Sequence, residues 1–256
     1  MYVAQERRAY ILRLLQQRGS IRSAELAREI GVTDETIRTD LVDLQAQGLL
    51  QRVHGGAKYI LPQAGKDSSA RPDCQLAQLA RRHVRPGMRV FLDSDPLVLV
   101  FVAQLTEAPC TLITVCPHLL EQLSATTLPH QVICPGGVLD KESGVLESKA
   151  AIAALSRELR PDLALLCPPA VRADVAAYKH TAHTNWAKAA AECADKTVLM
   201  VPSYALQAHA PHAFRLPAGN VLITENNLPP HFQHPELELI PYISAEDLLQ
   251  ASAFDY

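Results

Sequence analysis

From Arg89 onward, short continuous apolar runs alternate with longer runs at helical spacing, and this alternation constrains the fold more than any other feature of the chain. The strand-like runs are RVFLD, TLITV, QVICPGG, LALLC, TVLMV, NVLIT and LELIP, starting at Arg89, Thr111, Gln131, Leu163, Thr197, Asn220 and Leu237. Helix-like runs fall between them at Leu97 to Leu105, Pro117 to Leu123, Ser148 to Leu159 and Trp186 to Cys193. Ser244 to Asp247 makes an S-x-x-D capping box for a last helix. Strands apolar at consecutive positions are buried on both faces, the condition of a parallel sheet covered by helices.

The first sixty residues follow a different rule. Ala4 to Gln17 sets Tyr10, Ile11, Leu14 and Leu15 at helical spacing before Gly19. Ser23 is expected to cap a second helix over Ala24 to Ile30, closed by Gly31. Thr33 is expected to cap a third, with Asp34 and Glu35 in its first turn, an apolar stripe of Ile37, Leu41 and Leu44, and an end at Gly48. LLQRV, HGG and AKYIL then read as two strands around a glycine turn. Three helices and a hairpin make a winged helix-turn-helix. Pro62 to Asp73 (PQAGKDSSARPD) carries no large apolar residue and reads as a linker. The expected organisation is a winged helix-turn-helix domain over 1–61, a linker over 62–73, and an α/β Rossmann-like domain with a mostly parallel sheet over 74–256.

Composition narrows the function. A hydrophobic content of 48% against 20% charged residues is globular, not disordered. The longest apolar stretch, Pro96 to Ala103, is far short of the roughly 20 residues a bilayer span needs. With no apolar leader in MYVAQERR, a cytoplasmic protein without membrane contact is expected. Six cysteines lie scattered with no C-x-x-C pair, so neither a metal ribbon nor a cofactor is expected. Net charge is −3 overall, yet residues 1–62 hold nine Lys/Arg against seven Asp/Glu while the remainder holds 15 against 20. The mildly positive part coincides with the helix-turn-helix, as contact with DNA phosphates requires.

In such a head the third helix buries one face and offers the other to the major groove. With Ile37, Leu41 and Leu44 inward, Glu35, Arg38 and Thr39 fall on or beside the outer face and Thr36 at its margin. Arg38 can fork onto guanine, a threonine can touch a thymine methyl, and Glu35 can accept from cytosine. Arg52 and His54, leading into the wing turn, suit phosphate contacts.

Residues 6–58 resemble the DNA-binding head of the DeoR-type bacterial transcription repressors. The resemblance rests on Arg7 and Arg8, on Glu25-Leu26-Ala27, on VTDETIRTDL from Val32 to Leu41, and on RVHGGA from Arg52 to Ala57. Thr39 stands where that family commonly has a second arginine. The resemblance implies double-stranded operator DNA as partner, a homo-oligomer, and a C-terminal domain related to phosphosugar isomerases that binds a sugar phosphate or other metabolite as effector.

It also implies effector residues at Asp93, Ser94, Thr114, Gly136, Gly137 and Lys188. The match there is incomplete. Asp95, Pro96 and Leu97 replace the Gly-Thr-Thr of the family's DSGTT loop, Val115 replaces an asparagine, and Pro202-Ser203-Tyr204-Ala205 lacks the lysine of D-x-S-K. A carboxylate is added, an N–H is lost at proline and two hydroxyls go. The expectation is a sensor whose phosphate pocket is altered, with Lys179 or Lys188 as the cations able to substitute if the phosphate ligands lie a few residues away. Two alternatives stand beside it: an isomerase-like enzyme using Asp93, Asp95, Lys179 and Lys188, and a C-terminal domain that only assembles copies. Three H-x-x-H pairs, His180 with His183, His209 with His212 and His231 with His234, are read as loop histidines rather than a metal site.

Overall fold

A computed structural model describes residues 7–240 except 9, 13, 16–19, 47–48, 60–71, 107–108, 207, 226–227 and 231. The chain divides into two compact units, Met1–Pro62 and Gln63–Tyr256. The expected capping box at Ser244 to Asp247 lies outside the described residues.

In the first unit, helical residues within 7–15 form α1, followed by β1 (Ser20–Arg22), α2 (Ser23–Ile30), α3 (Asp34–Ala46), β2 (Leu50–Val53) and β3 (Gly56–Tyr59). Ile11, Leu14 and Leu15 of α1 pack with Leu26 of α2 and Ile37, Leu41 and Leu44 of α3 in one core. The stripe anticipated for α3 is thus the buried one, and each such side chain stabilises the head by about 1.5–3 kcal/mol. Thr33 caps α3 as expected, its Oγ1 accepting the Thr36 N–H at 3.2 Å.

Ser23 does not cap α2. The N-cap is Arg22, with no side-chain cap, and Ser23 is the buried first residue of the helix. The wing does the capping, because the Ser23 N–H donates to the Gly55 carbonyl at 2.9 Å. β1, too short to signal itself in the sequence, pairs antiparallel with β3 and makes the wing a three-stranded sheet in the order β1-β3-β2.

The second unit opens with α4 (Pro72–Arg81), so the last two residues of the expected linker are already helical. It then runs β4 (Arg89–Leu92), α5 (Leu97–Ala103), β5 (Thr111–Ile113), α6 (Pro117–Ser124), β6 (Gln131–Ile133), a hairpin of β7 (Val138–Leu139) and β8 (Leu146–Glu147), and α7 (Lys149–Ala154). β9 (Leu163–Leu166), β10 (Ala170–Arg172), β11 (Val175–Tyr178), α8 (Thr181–Cys193), β12 (Lys196–Met200), β13 (His212–Arg215), β14 (Val221–Glu225) and β15 (Leu237–Ile240) follow. Seven strands form one all-parallel sheet in the order β15-β14-β12-β9-β4-β5-β6. The expected α/β domain is present. β10, β11 and β13 form a separate antiparallel sheet that the sequence reading did not anticipate. No helix among the described residues is long and apolar enough to cross a membrane.

This topology positions a site. From β4 the chain works outward through β5 to the β6 edge, then returns to place β9 on the other side of β4. Loops leaving the carboxyl ends of β4 and β9 therefore diverge, and the crevice between them is where open α/β sheets bind ligands.

Candidate functional site: a recognition helix and a sensor crevice

On α3 the outer face is polar. Glu35, Arg38 and Thr39 are exposed and Thr36 is half-buried; Arg52 and His54 on the wing are exposed as well. The Arg38 guanidinium is engaged locally, with Asp34 at 2.8 Å and Glu35 at 3.9 Å. Thr39 donates its hydroxyl to the Glu35 carbonyl at 3.1 Å, and the Thr36 hydroxyl pairs with that of Thr33 at 2.8 Å. Groups paired this weakly on a solvated face exchange partners cheaply.

What holds α3 in place was not anticipated. Asp40, between the candidate base readers and the apolar stripe, is buried and accepts from Arg7 Nε at 2.5 Å and Arg8 Nε at 3.0 Å. Arg8 also reaches Asp43 at 2.5 Å. Hydrogen bonding to the Asp40 carboxylate raises the Arg7 guanidinium further above its already high ordinary value. The Arg-Arg pair and the aspartate of TIRTDL are thus the two halves of one clamp that fixes α3 against α1. Spacing alone gave no signal of it, because the partners are 33 residues apart.

The wing motif has its own logic. Gly55 takes φ +77, the left-handed region open to glycine, and Gly56 has no room for a side chain, since a Cβ there would lie 2.2 Å from the Ile21 carbonyl oxygen. Arg52 N–H donates to Gln45 Oε1 at 2.8 Å, tying the wing to the end of α3.

In the second unit, Asp93 follows β4 at the carboxyl end of the parallel sheet and is 5% exposed. Its carboxylate accepts the Tyr178 hydroxyl at 2.6 Å, the Cys167 N–H at 2.8 Å and the Ser94 N–H at 2.7 Å. Asp93 therefore ties together the ends of β4, β9 and β11, three elements that meet only in the folded chain. Burial, then Asp93, pushes the Tyr178 hydroxyl well above its ordinary value, and burial, then Asp95 and Asp93, does the same to the Cys167 thiol. Both stay neutral.

Asp95 has a local task. Its Oδ1 accepts the Leu97 N–H at 2.9 Å at the start of α5, so the protein's own carboxylate sits where the resemblance led us to expect a loop contacting phosphate. Pro96 offers no N–H and Leu97 is buried. Thr114 is fully buried, its hydroxyl accepting the Cys116 N–H at 3.3 Å. Gly137 packs against β8, where a Cβ would stand 2.6 Å from the Glu147 carbonyl oxygen, and Gly136 takes φ +83. Lys188 lies two turns along α8, 53% exposed and 3.8 Å from Glu192. Ala205 is buried, so a methyl occupies the position of the missing lysine.

The histidines divide. His183 is not in a loop but in the first turn of α8, while His180 lies just before that helix as its N-cap, the two ring centroids 5.9 Å apart. His183 packs on Tyr178 at 6.2 Å, and its Nε2 is buried without a hydrogen-bond partner. Burial pushes it below its ordinary value of 6.5, with the Asp93 charge opposing. His212 lies in β13, and His234 hydrogen-bonds Asn220 at 2.9 Å. His209 is exposed, its Nε2 3.4 Å from Arg172, and His231 is outside the described residues. Among the described residues no group of three or more His, Cys, Asp or Glu is placed to hold a metal ion. Neither His183 nor Tyr178 was singled out from sequence as a neighbour of Asp93; His183 was read only as one of the loop histidines.

The first unit is a winged helix-turn-helix and the second a parallel α/β unit. The DeoR-like helix-turn-helix domain matches residues 7–63 and the DeoR C terminal sensor domain matches residues 74–226. The chain belongs to the DeoR family. Similar curated proteins include the lactose phosphotransferase system repressor of Streptococcus mutans, 29% identical over 47% of this chain and 51% of that one. The HTH-type transcriptional regulator YulB of Bacillus subtilis, itself uncharacterized, is 30% identical over 54% of this chain and 56% of its own. The chain spans about half the length of the curated relatives it matches. Among solved structures, a translation initiation factor eIF-2B of Pyrococcus horikoshii OT3 aligns at TM-score 0.43 and 14% identity, covering 84% of this chain and 75% of that one. The ribose 5-phosphate isomerase A of Methanocaldococcus jannaschii aligns at TM-score 0.36 and 14% identity, over 50% and 53%. At these scores neither bears on the chemistry of this chain.

Proposed function

We propose that this protein is a DNA-binding transcription repressor of a carbohydrate-related operon, with its second unit as the sensor. The observation that carries the reading is the Arg7–Arg8–Asp40 clamp, which fixes α3 on its buried face and leaves Glu35, Arg38 and Thr39 outward. Several relatives are named as lactose phosphotransferase system repressors, which supports the carbohydrate assignment. Arg38 and its neighbours read bases; Arg52 and His54 meet phosphates. Selection from a randomised double-stranded pool tests this: enrichment of a repeated or palindromic half-site is the expected result. A pool unchanged after repeated rounds would contradict it.

For the sensor we infer an effector other than an ordinary sugar phosphate, bound in the crevice around Asp93, Ser94 and the Gly136-Gly137 turn. Asp95 supports this, since its carboxylate holds the Leu97 N–H and repels an incoming anion. Asp93 is committed to three donors and so is not free to serve as the acid or base of an isomerase, which supports regulation rather than catalysis. A ligand at one hundred times its dissociation constant adds about 2.7 kcal/mol to stability. Thermal shifts with unphosphorylated sugars but not with their phosphates are expected, and a shift with a hexose phosphate alone would overturn the reading.

A further inference from the structure

The outer face of α3 changes character halfway along the helix. At about 100° per residue, Glu35, Arg38, Thr39 and Val42 stand at i, i+3, i+4 and i+7, a single row opposite the buried Ile37, Leu41 and Leu44. A recognition helix lying in a major groove presents base-reading side chains at this spacing. The first three residues of the row are polar. Val42, about 6 Å along the helix axis from Arg38, is 45% exposed, and among the described residues it takes no part in the core of the head.

Every polar side chain of α3 beyond Thr39 is engaged within the head. Asp40 accepts from Arg7 and Arg8, Asp43 pairs with Arg8, and Gln45 Oε1 accepts the Arg52 N–H of the wing. The outward row therefore ends in Val42 and the exposed Ala46, neither of which can hydrogen-bond a base. Helix stability does not ask for Val42 either, since a β-branched residue at a solvated helical position is a weaker helix former than alanine, leucine or lysine. Scattered surface valines are ordinary, but this one continues the row of base readers.

The chemistry of the groove names the partner. Base-pair edges in the major groove offer hydrogen-bond donors and acceptors, and the one apolar group among them in unmodified DNA is the C5 methyl of thymine. We propose that Val42 reads a thymine methyl, adding to each half-site a thymine preference beyond the contacts of Glu35, Arg38 and Thr39. The inference rests on α3 being the reader proposed above.

The test measures binding of the full chain to the site enriched from a randomised double-stranded pool, and to duplexes in which each thymine in turn is replaced by uracil. That replacement deletes the methyl and leaves every hydrogen-bonding group in place. For the wild type, at least one thymine per half-site should cost about fourfold in affinity when its methyl is lost, the worth of one buried methyl group. Val42→Ala should bind the unaltered site weaker by a similar factor and be indifferent to uracil at that position, whereas Val42→Ile should retain the penalty. Arg38→Ala should weaken binding and still show the penalty, which separates the methyl contact from hydrogen-bonded readout. A wild type indifferent to uracil at every thymine overturns the proposal while leaving the reader intact, as does a set of penalties that Val42→Ala keeps in full. An unenriched pool, or affinity untouched by Arg38→Ala, would instead remove α3 as the reader and the proposal with it.

Discussion

The Arg7 guanidinium and the Asp40 carboxylate meet at 2.5 Å, joining α1 of the head to α3 through an acid whose side chain is 2% exposed. Arg8 adds a second donor at 3.0 Å. Removing the buried carboxylate takes from Arg7 and Arg8 the acceptor they share. We expect Asp40→Ala to destabilise the head by about 3–5 kcal/mol, and Asp43→Ala, whose own side chain is 40% exposed, by about 0–1 kcal/mol. Denaturant melts of the two variants compare them directly; equal losses would remove the clamp from the account.

The wing motif makes a similarly pointed prediction. Gly56→Ala forces a methyl into the Ile21 carbonyl, so β1 must leave β3; Gly55→Ala meets nothing within 4 Å and pays only for its φ of +77. Gly56→Ala should lower the melting temperature of the head markedly more than Gly55→Ala. The reverse order would mean that turn conformation, not close strand approach, requires the pair.

Arg52 is assigned to phosphate. Replacing it by alanine should weaken binding evenly across DNA sequences and reduce the slope of log affinity against log salt by about one. A loss confined to particular bases would move Arg52 from positioning to readout.

Four histidines, His83, His130, His183 and His234, are pushed below their ordinary value by burial. The unfolded chain then binds more protons than the folded one near and below pH 6.5, so stability is full above that value and falls as pH drops toward the folded values. Melting temperature should therefore decline from pH 7.5 to 5.5. His183→Phe keeps a ring against Tyr178 and should flatten the decline; an unaltered slope would exclude His183 as a contributor.

The repeating strand and helix runs were legible because parallel strands are apolar on both faces: LALLC and TVLMV are β9 and β12 almost residue for residue. α3 was legible for the opposite reason, one apolar face on a polar helix. β1 and the small sheet of β10, β11 and β13 were not, because three- and four-residue strands such as SIR and VAAY acquire their structure from distant partners. Asp93 was found through its loop, but the reason for burying it was not. That reason is Tyr178, 85 residues away, brought in by a sheet no local pattern announces. Lys188 was selected by resemblance and lies exposed beside Glu192, a surface position that alignment of a motif does not reveal.

The account rests on α3 reading DNA with Arg38 at its centre. The most direct measurement is the fluorescence anisotropy of the full chain on its selected site at fixed salt, wild type against Arg38→Ala, with circular dichroism confirming equal folding. Loss of about 1–3 kcal/mol of affinity, with relaxed preference at one base position, is the predicted result. Unchanged affinity and unchanged preference would contradict it.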